Sequence, residues 1–161
     1  MNETKKSGSY LLVFLLLPLA VGAISALLSG NMSASYAAFQ KPAFSPPGIL
    51  FPIVWTILYL LMGISSYIID KSNHPQKKDA LQIYFVQLFF NFMWSILFFG
   101  LSDYLAAFWW LLLLIGFLLL MIYKFFKINK TAACLQIPYL LWCIFAAVLN
   151  FSIYRMNKSM L

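Results

Sequence analysis

Between Asp103 and Lys124 the chain reads Tyr104-Leu105-Ala106-Ala107-Phe108-Trp109-Trp110-Leu111-Leu112-Leu113-Leu114-Ile115-Gly116-Phe117-Leu118-Leu119-Leu120-Met121-Ile122-Tyr123. No charge interrupts these residues, and a helix of about 20 residues is what a ~30 Å hydrocarbon layer requires. Four further uncharged runs flank it: Tyr10–Leu28, Gly48–Ile69, Ala80–Ser102 and Thr131–Tyr154. None carries the charged stripe of a helix on a soluble core. The 11 basic and 4 acidic residues fall in short clusters between the runs, in a chain that is 63% hydrophobic and 9% charged. A soluble domain could not cover its surface with so few charges. The fold class expected is an all-α membrane protein, a bundle of five transmembrane helices in one domain, with helices near 10–29, 47–69, 80–102, 104–126 and 131–154.

Lys5 and Lys6 before an apolar run, with Ala23-Ile24-Ser25-Ala26 behind it, also resemble a signal peptide. The length of the run favours a retained first helix. Asp103 alone separates the third and fourth runs, which predicts a tight antiparallel hairpin with Ser102 or Asp103 capping the fourth helix. The side holding the N-terminus collects Lys5, Lys6, Lys71, Lys77, Lys78, Lys124, Lys127 and Lys130, against Lys41, Arg155 and Lys158 opposite. The positive-inside rule then puts the N-terminus in the cytoplasm and the C-terminus and the Ser29–Pro47 loop outside, as in a bacterial cell membrane. The net charge of +7 reads as a topology signal with some attraction to anionic lipid, and nothing suggests nucleic-acid binding. Cys134 and Cys143 lie nine residues apart, about 13 Å along a helix, too far for a disulfide. Both are expected to be buried small apolar groups.

Polar residues within the runs are the informative ones, because lipid solvates them poorly. Gln87, Asn91 and Trp94 recur at helical spacing on one face of the third run, and Tyr84 extends the stripe. Pro138, Trp142, Ala146 and Asn150 repeat every fourth residue in the fifth. The second run contributes Trp55 and Tyr59, one turn apart. The first offers Gly22, Ser25, Ala26 and Ser29, small enough for close helix approach. The fourth offers no chemistry. Two readings follow. Gln87, Asn91 and Asn150 hold helices together by hydrogen bonds, or Trp55, Trp94 and Trp142 line a cavity with Asn91 and Gln87 as polar anchors. Periodicity does not choose between them. Lys41-Pro42-Ala43-Phe44-Ser45-Pro46-Pro47-Gly48 is too proline-rich for a helix, and serves either as a stiff lid or as a rigid connector.

The Lys41-Pro42 and Ser45-Pro46-Pro47-Gly48 stretch, followed by Val54-Trp55-Thr56-Ile57-Leu58-Tyr59, resembles the loop and second helix of the translocator protein family. Its members are also called tryptophan-rich sensory proteins or peripheral benzodiazepine receptors. Gln87-Leu88-Phe89-Phe90-Asn91 with Trp94, and Pro138-Tyr139-Leu140-Leu141-Trp142 through Ala146 to Asn150, agree in order and spacing. The resemblance runs from about Tyr36 to Asn157. It implies a five-helix bundle, often a homodimer, with a pocket beneath the loop between the first two membrane helices. It implies binding of porphyrins, cholesterol and benzodiazepine-type compounds, with porphyrin as ligand and no cofactor required. The matching ligand-contact positions are Tyr36, Pro46, Trp55, Asn91, Trp142 and Ala146. In that reading Trp55 and Asn91 donate N–H groups to a ligand carbonyl or carboxylate, and Trp142 stacks on its rings. Two positions depart from the family pattern: Phe151 stands where the proposed cholesterol motif has tyrosine, and Phe44 where many members have tryptophan.

Three functions follow from the resemblance: a tetrapyrrole receptor or sensor assisting transport, an enzyme degrading porphyrin in light through Trp55 and Trp142, and a lipid- or sterol-binding scaffold. No Asp, Glu, His or Lys lies inside any apolar run, so acid–base catalysis and proton-coupled pumping lack their groups. The sole histidine, His74, falls in a charged loop away from the pocket, so no metal site is expected, and a haem in the pocket would have no histidine ligand.

Overall fold

The computed structural model describes residues 2–158, with side-chain surroundings from Tyr10 onward, so Lys5 and Lys6 lie outside the described side chains. Among the described residues the chain is helical without strands. Helix α1 spans Asn2–Leu28, α2 Met32–Ala38, α3 Leu50–Lys71, α4 Lys77–Ser95, α5 Tyr104–Ile128, α6 Lys130–Cys134 and α7 Ile137–Asn157. Five segments are long and apolar enough to cross a membrane: Tyr10–Leu28, Leu50–Lys71, Lys77–Gly100, Tyr104–Ile128 and Lys130–Asn157. They are the five runs expected. Helix α1 packs mainly on α3, α4 on α5, and α5 on α7, while α1 and α3 also touch α4.

Three local features go beyond the sequence reading. The Ser29–Pro47 loop contains α2, capped by Asn31, whose side chain accepts from the Ala34 N–H at 3.1 Å. The proline-rich stretch after it is non-helical. Helix α4 ends in a π turn at Ile96–Gly100, where the Leu101 N–H reaches back to the Ile96 carbonyl at 2.8 Å. The fifth run is not one helix: it breaks after α6 and restarts at Ile137, with Pro138 in the first turn of α7, where its missing N–H costs nothing.

The hairpin forms as predicted. Asp103 caps α5 through its side chain to the Ala106 N–H at 2.9 Å, and the short turn forces Ser102 to a left-handed φ of 53°. Cys143 is fully buried, but Cys134 is exposed at the end of the short helix α6, whose buried side is taken by Ala132 and Ala133; both are free thiols.

Close approach is concentrated between α1 and α3. A Cβ on Gly63 would stand 2.6 Å from the Phe14 carbonyl oxygen and 2.8 Å from the Leu15 Cα, so the two backbones meet there. Gly22 makes room for the Tyr59 ring instead. Ser25 joins α1 to α4 by donating to the Phe92 carbonyl at 2.7 Å, whereas Ser29 spends its hydroxyl within α1 on the Ser25 carbonyl.

Candidate functional site

A cavity of about 770 Å³ occupies the half of the bundle opposite the N-terminus. The second half of α1, the α2 loop, the start of α3 and the end of α4 enclose it. Its volume falls within the ~300–1,000 Å³ common for small-molecule sites. Leu19, Phe51, Trp55, Tyr59, Trp94 and Phe99 supply most of its aromatic and aliphatic wall. Ala23, Pro52 and Thr56 line it and are also exposed, so it opens sideways between α1 and α3.

The wall is ordered by ring packing. Trp55 stacks on Tyr59 with centroids 5.5 Å apart and lies 6.2 Å from Trp94, which in turn stacks on Phe98 at 5.5 Å. The π turn serves this arrangement. Its extra residue lets Phe98 enter the core while its neighbour Phe99 reaches the cavity. The Trp55 indole N–H has no protein acceptor among the described residues, which leaves a donor available at the wall. Tyr36 roofs the cavity. Its phenol donates to the Pro46 carbonyl at 2.9 Å, and burial pushes its pKa upward, so it remains a neutral donor. Lys41 braces the same corner through the Tyr36 carbonyl at 2.6 Å.

The floor is a buried hydrogen-bond chain. Tyr59 donates to Asn91 Oδ1 at 2.8 Å, Asn91 Nδ2 donates to the Tyr139 oxygen at 3.0 Å, and Tyr139 donates to Gln87 Oε1 at 3.1 Å. Higher up, the Trp94 indole donates to Asn150 Oδ1 at 3.2 Å, and Asn150 Nδ2 donates to the Tyr104 carbonyl at 2.7 Å. The expected polar stripe on α4 is therefore real and faces inward.

The sequence candidates divide. Tyr36, Trp55 and Trp94 line the cavity. Pro46 contributes its carbonyl to Tyr36 and no wall. Asn91 and Gln87 lie within the floor and do not line the cavity, engaged by Tyr59 and Tyr139, so the Asn91 amide is not free to meet a ligand. Ala146 borders a separate minute void with Tyr36, Phe51 and Asn150. Trp142 packs edge-on to Phe51 at 5.8 Å, away from the cavity, and its buried indole N–H has no partner. Nor do Pro138, Trp142, Ala146 and Asn150 share one environment. Pro138 is exposed, Trp142 half-buried, and Ala146 and Asn150 buried. Each step of four residues turns the helix a further ~40°, so the three steps from Pro138 to Asn150 leave one face for another. Light-driven oxidation from this cavity would thus meet Trp55, with Trp142 behind Phe51.

Tyr59 appeared in the sequence only as a companion of Trp55, and Tyr139 only within a matching motif, yet the two phenols organise the floor. Asn157 was missed. Its side chain accepts from the Gln40 N–H at 3.0 Å and donates to the Gln40 carbonyl at 2.9 Å, tying the loop to the end of α7. Among the described residues no three His, Cys, Asp or Glu side chains gather as a metal would need.

Residues 14–155 match the TspO/MBR family. A protein of Archaeoglobus fulgidus named tryptophan-rich protein TspO is 39% identical over 98% of this chain and 99% of its own. The sheep translocator protein is 38% identical over 77% and 75% of the two chains. The tryptophan-rich sensory protein of Cereibacter sphaeroides is 33% identical over 76% of each.

Proposed function

This chain is an integral membrane protein of the TspO/MBR family, and from that premise we propose that it is a receptor for tetrapyrroles and related flat hydrophobic ligands. The observation that carries the reading is the ~770 Å³ cavity, walled by Trp55, Trp94 and Phe99 and roofed by Tyr36. Flat aromatic ligands gain from ring faces and edges offered by a rigid wall, and each such pair adds about 0.5–1.5 kcal/mol beyond area burial. The unpartnered Trp55 indole N–H supplies one directional donor for a ligand carboxylate or carbonyl. The lateral opening between α1 and α3 suits a ligand that arrives dissolved in lipid. Lysine placement supports a cytoplasmic N-terminus in a bacterial cell membrane, which puts the cavity in the outer leaflet half.

Titration of the purified protein with protoporphyrin IX, followed by quenching of tryptophan fluorescence, tests this. Saturable binding is expected, weakened about tenfold by Trp55→Phe, which removes the donor and part of the stacking surface. Binding that does not saturate, or that ignores Trp55→Phe, would move the search to sterols or lipids as occupants.

A further inference from the structure

Beneath the cavity floor, four buried side-chain atoms have no hydrogen-bond partner in the protein: the Tyr84 hydroxyl, Gln87 Nε2, and both Nε2 and Oε1 of Gln136. All three residues have no solvent exposure. Buried polar atoms are nearly always paired, and a group of unpaired ones calls for a ligand that both donates and accepts. These atoms belong to one neighbourhood. Tyr84 and Gln87 stand one turn apart on α4. Gln87 meets Tyr139 of α7 at 3.1 Å, and Gln136 lies one turn before Tyr139. Ser65 of α3 donates to the Ala132 carbonyl at 2.7 Å, one turn before Gln136. The adjacent Ser66 gives its proton to the Gly63 carbonyl at 3.1 Å, so toward Tyr84 its oxygen can only accept, and the Tyr84 oxygen still lacks a donor. The three unpaired side chains thus come from facing stretches of α4 and the start of α7, beside the contact of α3 with α6.

We propose that Tyr84, Gln87 and Gln136 hold bound water in the half of the bundle nearer the N-terminus. No Asp, Glu, Lys, Arg or His is buried among the described residues, so the site offers a cation no charge compensation and suits a neutral molecule. Water supplies two donors and two acceptors, the mixture that a phenol and two carboxamides require.

The water gives the floor a property the cavity alone lacks. From Tyr59 to Asn91, Tyr139 and Gln87, every bond points away from the cavity and the chain ends on the unpaired donor Gln87 Nε2. Rotating both amides by half a turn reverses each bond, and the chain then ends on an unpaired acceptor. Water satisfies either end. In the first sense Tyr59 turns an acceptor lone pair toward the cavity; in the reverse sense it turns its O–H there. The same floor therefore serves a ligand N–H or a ligand carbonyl, whatever the ligand is.

X-ray radiolytic footprinting of the full chain in nanodiscs, with H₂¹⁸O as solvent, reads this directly, because hydroxyl radicals form at bound water. Tyr84 is expected to gain ¹⁸O far faster than Phe125, which is equally buried but carries no polar atom to hold water. Gln136→Met, close in volume and apolar, is expected to suppress the Tyr84 labelling and to lower the unfolding temperature. Tyr84 labelling no faster than Phe125, labelling indifferent to Gln136→Met, or a raised unfolding temperature in that variant would each overturn the proposal. The wild-type comparison decides by itself if Gln136→Met does not fold.

Discussion

The Tyr59 phenol and the Asn91 carboxamide, 2.8 Å apart on α3 and α4, join the wall of the cavity to its floor. Tyr59 lines the cavity and Asn91 does not, so Asn91 acts on a ligand through Tyr59. Its amide nitrogen donates to the Tyr139 oxygen of α7, which makes one carboxamide the junction of three helices.

Asn91→Leu keeps the branched shape and removes both bonds. The Tyr59 and Tyr139 phenols then lie buried with one partner fewer each, a penalty of about 1–3 kcal/mol per unsatisfied group. Unfolding in detergent is expected at a clearly lower temperature. Ligand affinity should fall by less than for Trp55→Phe, because only the placement of Tyr59 changes. A larger affinity loss in Asn91→Leu than in Trp55→Phe would mean that the carboxamide turns to meet the ligand itself.

Two glycines separate packing from helix propensity. Gly63→Ala sets a methyl group 2.6 Å from the Phe14 carbonyl oxygen, and neither backbone can yield without parting α1 from α3. Gly116 has nothing within 4 Å of a Cβ, so Gly116→Ala adds only helix propensity, up to about 1 kcal/mol in favour of folding. Thermal unfolding of the two variants should shift in opposite directions, with Gly63→Ala the larger change. Similar shifts would show that α1 does not sit so close to α3 in the membrane.

Much of this architecture was legible in the sequence because lipid leaves so few solutions. Charge-free runs of membrane length gave all five spans, and the Gln87, Asn91 and Trp94 spacing gave an inward face on α4. What stayed hidden depends on geometry that spacing does not carry. The α7 stripe drifted because a four-residue step is not a whole turn. The π turn added a residue at Ile96–Gly100, and nothing in its apolar sequence marks the insertion. Gly63 looked like any glycine in an apolar run, though it fixes the α1–α3 contact. Of the two readings of the polar residues the helix-joining one holds, and the cavity one holds for Trp55 and Trp94 but not for Trp142, Asn91 or Gln87. Asn91, Gln87 and Asn150 do hold helices together, and by doing so they position the rings of Tyr59 and Trp94 around the cavity.

Trp142 tests whether the cavity enlarges. Its indole N–H is buried without a partner, and Phe51 stands between it and the open space. Trp142→Phe removes an unsatisfied donor and some apolar area, two effects of opposite sign that should leave stability within about 1 kcal/mol of wild type. With the cavity as it stands, protoporphyrin IX affinity should change by less than about twofold, well under 1 kcal/mol. A loss as large as that of Trp55→Phe would mean that ligand binding displaces Phe51 and brings Trp142 into the site.

Asn157 controls the roof from the far end of the chain. Its carboxamide pairs reciprocally with both backbone groups of Gln40, at 3.0 and 2.9 Å, and donates a further bond to the Ile153 carbonyl at 2.8 Å. Gln40 directly precedes the Lys41–Pro47 stretch, whose Pro46 carbonyl receives Tyr36. The loop is thus pinned at two points: to α7 by Asn157, and to α2 by Tyr36. Asn157→Ala removes the first pin and leaves every cavity-lining side chain in place. Two effects are expected together. Amide exchange around Gln40 should rise, since its N–H loses its acceptor, and protoporphyrin IX should dissociate several-fold faster with little change in association. Stopped-flow displacement measures the second effect. Faster exchange without faster dissociation would show that the ligand leaves between α1 and α3, past Ala23 and Thr56, and not beneath the loop.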